Sequence, residues 1–460
     1  MFKKHLEKKS LALILEQVDR KNGLSRKLTL FNLIIFGVGA MIGGGIFVLP
    51  GIASYQTGPA VTLSFLIAGI LCMSIAFCYA ELSSHIPSSG GCYVYAEVCL
   101  GKIFGYMTAI TLIFVESLSM ASVSNGCASY VAGLGSFLNI NLGQYFMFYK
   151  YNLLPPIIVC LSTLILYRGV TTSAIVNLVL VTVKVLALIT FIVIGVLYVN
   201  ADNWTPFFKH ADSKISSVLD GVSMLVVSYA GFDALCATSQ EAVNPRRDIP
   251  IAIISTITFC IIIYILVTLV MTGLVPYHSL SGSNPIFIAI QNLPGLRFLK
   301  LFILLAAISA TFSVTLIVMY GISRWVFSLA KDGTLPKFLG ILNSRSEPVF
   351  AVLFCGLMIS LFSVLLPVAK LIKLANAGFL LIFIIVSFSA FALKNIVRNV
   401  TSNKIRVFAV FSILGSSIIL FELLKSCFTE FFIFLSVLLL LYLIQYYCTD
   451  NISPKIRRIV

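Results

Sequence analysis

The sequence predicts an all-α integral membrane protein of twelve transmembrane helices, built as two inverted five-helix repeats and two additional helices, with helices 1 and 6 discontinuous. Three observations predict it. The chain is 59% hydrophobic and only 11% charged, with a mean hydropathy of +1.04, whereas a soluble domain carries about 25% charged residues. Long stretches hold no charge at all, among them Leu28 up to Glu81 and Pro250 to Leu296. The second is long enough for a spanning helix of about 20 residues and a loop. Finally, two apolar segments break at comparable places in the two halves, at Gly43-Gly44-Gly45 and at Tyr229-Ala230-Gly231-Phe232-Asp233. Such paired interruptions point to a transporter with discontinuous helices, because backbone groups freed at membrane depth must face protein or a polar cavity.

Residues 1–29 are expected to be cytoplasmic. The apolar stretch Leu11-Ala12-Leu13-Ile14-Leu15 is too short for a cleavable signal and fits a short amphipathic helix on the membrane face. The expected spans lie near 30–54, 59–84, 103–135, 152–168, 174–199, 218–240, 249–273, 299–330, 348–367, 371–393, 406–424 and 428–448. The third and eighth are long enough to tilt. The first repeat is 30–200 and the second 201–396, while 397–460 carries helices 11 and 12 and a cytoplasmic tail. Five crossings per repeat turn the second upside down, so the two breaks meet near the midplane. Segment 200–217, with Trp204 and Pro206, is the largest outer connection, and no separate soluble domain fits. Glu81 and Pro87-Ser88-Ser89-Gly90-Gly91 mark a cytoplasmic turn with a short in-plane helix. Asp248 and Pro250 read as the N-cap and early turn of span 7.

A net charge of +15 raises the question of nucleic acid, and its distribution answers it. With the N-terminus inside, cytoplasmic segments hold 23 of the 32 Lys and Arg residues and outer segments eight. That asymmetry places both termini in the cytoplasm of a multi-pass protein of the cell (inner) membrane. The partner is a lipid bilayer and not a nucleic acid. Arg324, Lys331, Asp332 and Lys337 cluster at the inner end of span 8, as interface anchors or inner gates. The 11 cysteines form no CxxC pair and read as small apolar packing residues, so neither metal nor cofactor is called for. No GxxxxGK[ST], HExxH or GxSxG motif is present, so an enzymatic reading has no support and no catalytic residue is assigned.

The candidate site residues follow from the breaks. Each helical glycine costs about 1 kcal/mol against alanine, so Met41-Ile42-Gly43-Gly44-Gly45 should unwind. The half-helix starting after Gly45 would aim its amides at a carboxylate. The alternative is close helix packing through small residues. At the second break, the carbonyls near Tyr229 and Ala230, with Phe232 alongside, suit an ammonium, as does that of Met41. Asp233 either orients this unwound backbone or touches substrate. Lys184 lies roughly 15 Å deep at 1.5 Å per residue, sharing a helix face with Asn177 and Val181. Desolvation disfavours its ammonium, which suits a proton-coupling group; the alternative is a fixed salt bridge to Glu116 or Asp233. Glu116, among Thr111, Ser117, Ser119 and Ser122, reads a basic side chain, relays a proton, or is a protonated, hydrogen-bonded carboxyl.

Gly39-Ala40-Met41-Ile42-Gly43-Gly44-Gly45-Ile46-Phe47-Val48-Leu49 and the later Gly58-Pro59-Ala60-Val61-Thr62 stretch resemble the amino acid–polyamine–organocation (APC) superfamily, most of all its cationic amino acid transporter branch. Tyr79-Ala80-Glu81-Leu82, Gly90-Gly91-Cys92-Tyr93-Val94-Tyr95, Tyr229-Ala230-Gly231-Phe232-Asp233, Glu241 to Pro250 and Lys331 to Pro336 carry the same resemblance, which spans residue 30 to about 350. It implies the five-plus-five LeuT-like fold, alternating access, a substrate carboxylate on the first break and its amine on carbonyls of both. Lys184 matches the lysine that, in proton-coupled relatives, replaces a sodium ion, and Glu116 matches an acid near the substrate. Gly44 departs from the Thr or Ser that relatives often carry, Gln240 from a second acid, and twelve spans from the fourteen of animal members.

The combined expectation is a secondary amino acid permease of the plasma membrane working by proton symport, with the choice between a cationic and a neutral amino acid left open. An amino acid exchanger without net proton movement and a non-transporting amino acid sensor are the alternatives. The partners are thus a small-molecule amino acid, the proton and the bilayer, with the oligomeric state left open.

Overall fold

A helix that is apolar on every face needs protein or lipid on every face, and this chain answers with a buried inner layer and an apolar outer one. The structure is a computed structural model that describes residues 28–88, 90–140, 146–148, 151–168, 174–209, 214–239, 241–291, 293–331, 335–343, 347–394, 396 and 403–451. The expected N-terminal amphipathic helix, Gln240, Asp332 and the C-terminal tail lie outside the described residues.

Span 1 consists of α1 (Leu30–Met41), α2 (Gly44–Phe47) and α3 (Leu49–Thr57). Then come α4 (Val61–His85), the short α5 (Cys92–Cys99) where an in-plane helix was expected, and α6 (Lys102–Phe137). A two-stranded antiparallel ribbon pairs Met147 with Asn152 and Phe148 with Tyr151. It is followed by α7 (Leu154–Tyr167), α8 (Ala174–Gly195), α9 (Lys214–Leu225), a 3₁₀ turn Val226–Tyr229, and α10 (Phe232–Ala237). The remaining helices are α11 (Pro245–Leu274), α12 (Pro285–Gln291), α13 (Arg297–Lys331), α14 (Val349–Leu365), α15 (Val368–Leu393) and α16 (Asn403–Asn451). The last carries expected spans 11 and 12 and bends at Cys427, where φ is −142°.

Among the described residues, eight helical segments are long and apolar enough to cross a membrane, and three shorter apolar helices, Leu30–Met41, Leu154–Tyr167 and Val349–Leu365, accompany them. Large apolar side chains such as Leu164, Leu197, Leu357 and Phe421 point outward, more than half exposed. An apolar exterior of that extent fits lipid contact. The chain is an integral membrane protein. Inside, α6 packs between α13 and α15, and α4 against α11.

Span 7 begins earlier than Asp248 and Pro250 suggest. Asn244 precedes the helix and Pro245 takes its first position, where a missing N–H costs nothing. Asp248 already sits in the first turn, its amide donating to the Asn244 carbonyl at 2.8 Å, and Pro250 lies inside the helix. At the inner end of α13, Arg324 pairs with Glu347 at 2.6 Å and Lys331 lies over the Phe327 ring. The ten cysteines whose side chains are described are free and all but Cys160 are buried, and among the described residues no cluster could hold a metal.

Two tethers close the ends of the broken helices. Leu28, ahead of α1, exchanges main-chain hydrogen bonds with Glu241 and Val243 at 2.9 and 3.0 Å. At the other end of span 1, the Ala60 amide donates to the Phe207 carbonyl at 3.0 Å, and Lys209 Nζ to the Tyr55 carbonyl at 2.8 Å.

Candidate functional site

The first break falls at Ile42 and Gly43. Ile42 turns extended (φ −77°, ψ 96°), and Gly43 caps a new helix that starts at Gly44, not after Gly45. Gly44 and Gly45 therefore form the first turn of the second half-helix instead of an unwound linker. The half-helix is itself interrupted at Val48 before α3. Helix starts leave amides unbonded, and those of Gly43, Gly44 and Gly45 have no main-chain acceptor among the described residues.

The second break falls at Ala230 and Gly231. The chain tightens from α9 into a 3₁₀ turn, extends at Ala230 (ψ 153°), and restarts as α10 after Gly231. Gly231 sits at φ +117°, a conformation that suits glycine. The carbonyls of Tyr229 and Ala230 have no main-chain donor among the described residues. Asp233 Oδ1 accepts from the Gly231 amide at 3.1 Å, the geometry of a side chain that orients unwound backbone. Phe232 is fully buried, edge-on to Tyr79.

The two breaks meet. A Cβ on Gly45 would lie 2.7 Å from Ser228 Cα, and one on Gly231 would lie 3.1 Å from the Ala40 carbonyl. The glycines also receive neighbouring helices: a Cβ on Gly43 would come within 2.5 Å of Val314 Cγ2, and one on Gly44 within 2.3 Å of Val123 Cγ2. The close-packing role weighed as an alternative is thus part of the geometry, with Val123 of α6 and Val314 of α13 packed against the glycine Cα atoms.

Lys184 is 1% exposed and donates from Nζ to the Gly39 carbonyl at 3.2 Å, two residues before the last of α1. Among the described residues it has no ion pair, so the fixed salt bridge to Glu116 or Asp233 is not made. Val181 shares its buried face, while the Asn177 side chain lies outside those described. Glu116 is 5% exposed and has no ion-pair partner among the described residues. Nor does any described residue hydrogen-bond its carboxyl. A protonated, hydrogen-bonded carboxyl, the alternative considered for it, has no hydrogen-bond partner among the described residues.

Several contributors escape the sequence reading. Tyr264 Oη of α11 donates toward the carbonyls of Met41 at 2.8 Å and Ser228 at 3.1 Å, joining the two breaks. The Met41 carbonyl, expected to meet an ammonium, therefore has one lone pair engaged already. The buried Ser228 hydroxyl has no partner among the described residues. Tyr130 Oη donates to the Phe47 carbonyl and fixes α2. A separate cavity of about 510 Å³ lies at the ends of α6 and α13, lined by Phe137, Asn139, Gln291, Arg297 and Lys300, and holds none of the expected site residues.

The comparisons with known proteins agree with this architecture. A family described as amino acid permease matches residues 28–449. The chain is 31% identical over 401 residues to the branched-chain amino acid permease BcaP of Bacillus subtilis, covering 84% of this chain and 85% of that one. It is 37% identical over 339 residues to the chloroplastic cationic amino acid transporter 9 of Arabidopsis thaliana, covering 71% of this chain and 58% of that longer one. It is 32% identical over 390 residues to the methylthioribose transporter of Bacillus subtilis, covering 82% and 83%. These relatives are transporters. With two broken helices meeting in its core and a family match from Leu28 almost to the end of its last described helix, the chain belongs to the amino acid permease family of the APC superfamily.

Proposed function

We propose that the chain is a secondary amino acid permease that couples uptake to proton entry by alternating access. One observation carries the reading: two broken helices meet and leave amides on one side and carbonyls on the other without main-chain partners. A zwitterion has the matching pair of groups. Its carboxylate takes the amides of Gly43, Gly44 and Gly45, with the Ile42 backbone beside them. Its ammonium takes the carbonyls of Tyr229 and Ala230 and the free lone pair of Met41. Phe232 and Asp233 hold the second break in shape, and Glu116 reads a cationic side chain.

Lys184 supplies the coupling. Charged, its ammonium holds the Gly39 carbonyl and keeps α1 in place; neutral, it holds that carbonyl less firmly. Proton loss then frees α1, and the Leu28 tether to Glu241 and Val243 opens. Val123 and Val314 withdraw from the glycines as substrate enters. The reading includes twelve spans in a five-plus-five inverted LeuT-like repeat, in the cell membrane with both termini inside. The branched-chain and cationic relatives support an amino acid substrate and leave its side chain to experiment.

The test is a competition panel of the twenty amino acids in proteoliposomes under an imposed pH gradient. Uptake above equilibrium that collapses with the gradient is expected. Uptake that depends strictly on preloaded amino acid would instead establish exchange, and binding without movement a sensor.

A further inference from the structure

We propose that Asn376 is a positioning residue of the site, and that α15 braces both halves of the second broken helix through it. Asn376 is fully buried in the first half of α15. Its Oδ1 accepts from the Val227 amide at 2.7 Å, and its Nδ2 donates to the carbonyls of Met224 and Ile372, both at 2.9 Å. Val227 and Met224 flank the point at which α9 tightens into the 3₁₀ turn. There the α-helical pattern fails, so one amide and one carbonyl lose their usual partners. A single carboxamide supplies both, because it carries an acceptor and two donors in one plane. No apolar side chain of that size can do so.

The same helix grips the far side of the break. Phe383 lies seven residues on, two turns along the same face, and stacks on Phe232 with centroids 5.9 Å apart and planes 23° from parallel. Between them, Gly378 lets α15 close on α6: a Cβ there would come 2.0 Å from Val115 Cγ2, beside Glu116. One rigid helix thus holds the segment before Tyr229, the ring after Gly231, and the neighbour of the buried acid. The carbonyls of Tyr229 and Ala230 hang between the two grips, so their direction is set by α15. This inference rests on the proposed site for its functional consequence, while its structural part stands independently of transport.

Hydrogen exchange read by mass spectrometry on purified, detergent-solubilised protein tests the brace. Asn376→Leu should speed exchange in the peptide holding Val226–Tyr229 by about tenfold or more, since a buried amide loses its acceptor. Ser389→Ala, on the same helix with a local hydroxyl bond to Ile385, should leave that peptide unchanged. Asn376→Asp keeps the acceptor for Val227 and should keep most of the protection; if the leucine variant does not fold, Asn376→Ala, which also lacks the acceptor, takes its place and should speed exchange in the same peptide. In proteoliposomes, Asn376→Leu should raise KM about tenfold for whichever amino acid the wild type takes from the twenty, with the maximal rate changed less than about twofold. Unchanged exchange in Asn376→Leu overturns the proposal. So does faster exchange with an unchanged KM, which would make Asn376 a packing residue only. If the wild type moves no amino acid, the permease reading fails, and the exchange result still decides whether the brace exists.

Discussion

At the scale of single residues, a buried lysine without an acid is the sharpest feature. Among the described residues its one hydrogen-bond partner is the Gly39 carbonyl, 3.2 Å away, at the end of α1 that borders the break. Lys184→Ala removes the proposed coupling group and leaves the proposed substrate contacts standing. It should lose concentrative uptake under a pH gradient while keeping exchange of labelled for unlabelled amino acid, both measured in proteoliposomes. Retained concentration with unchanged pH dependence would refute the coupling role. Tyr264→Phe deletes one hydroxyl that serves two carbonyls. About 1–3 kcal/mol of desolvated carbonyl is then left uncompensated, read as a raised KM together with lower thermal stability.

Which of these residues the sequence reveals follows from charge and context. Lys184, Glu116 and Asp233 stand out because a charge in an apolar run is expensive and therefore conspicuous. Tyr264, Ser228 and Asn376 do not, because a tyrosine, serine or asparagine in a span has no distinctive pattern around it. Their partners lie far along the chain: Tyr264 meets Met41 across 223 positions and Asn376 meets Val227 across 149. Only the fold brings them together. The salt bridge offered as an alternative for Lys184 shows the reverse limit, since composition counts acids without placing them.

At the scale of elements, the glycine cluster does two jobs that sequence inspection treats as rivals. It begins a half-helix with free amides, and it lets α6 and α13 approach that half-helix closely. Gly44→Ala sets a methyl 2.3 Å from Val123 Cγ2, closer than packed carbons tolerate. Overpacking of this kind costs about 1–3 kcal/mol, and uptake should fall at least as steeply as stability. The double variant Gly44→Ala with Val123→Ala makes room for the methyl and should recover stability, measured by thermal unfolding as a double-mutant cycle. Additive losses would mean that the two residues do not touch. The expected breaks were placed within two residues of those observed. The exact register was hidden because three consecutive glycines give no local reason to prefer one as the cap. Pro245 displaced the expected start of span 7 for a related reason: two prolines five residues apart both fit a helix opening, and the first one wins.

At the scale of the whole molecule, hydropathy alone announces a membrane protein, and among the described residues eight helical segments are long and apolar enough to cross a bilayer. The ribbon at Met147–Phe148 and Tyr151–Asn152 was not foreseen, since strands of two residues leave no periodicity to read. Both ends of the broken pair are tied, by Leu28 with Glu241 and Val243 at one end and by Lys209 with Tyr55 at the other. The proposed alternating access requires these ties to open in turn. Val243→Pro deletes the amide that bonds the Leu28 carbonyl, and Val243 is exposed enough to accept the ring. It should favour opening at that end, seen as faster maleimide labelling of the buried Cys236 by peptide mass spectrometry. Labelling equal to wild type would show that the tie does not gate.

The central claim is that a zwitterion bridges main-chain groups left open where the two broken helices meet. A density map of the protein saturated with the amino acid it takes up from the panel tests this most directly. The account predicts a carboxylate at hydrogen-bond distance from the amides of Gly43, Gly44 and Gly45, with the ammonium on the carbonyls of Tyr229 and Ala230. Continuous helices through Ile42 and Ala230, or substrate density elsewhere with these groups unengaged, would contradict it.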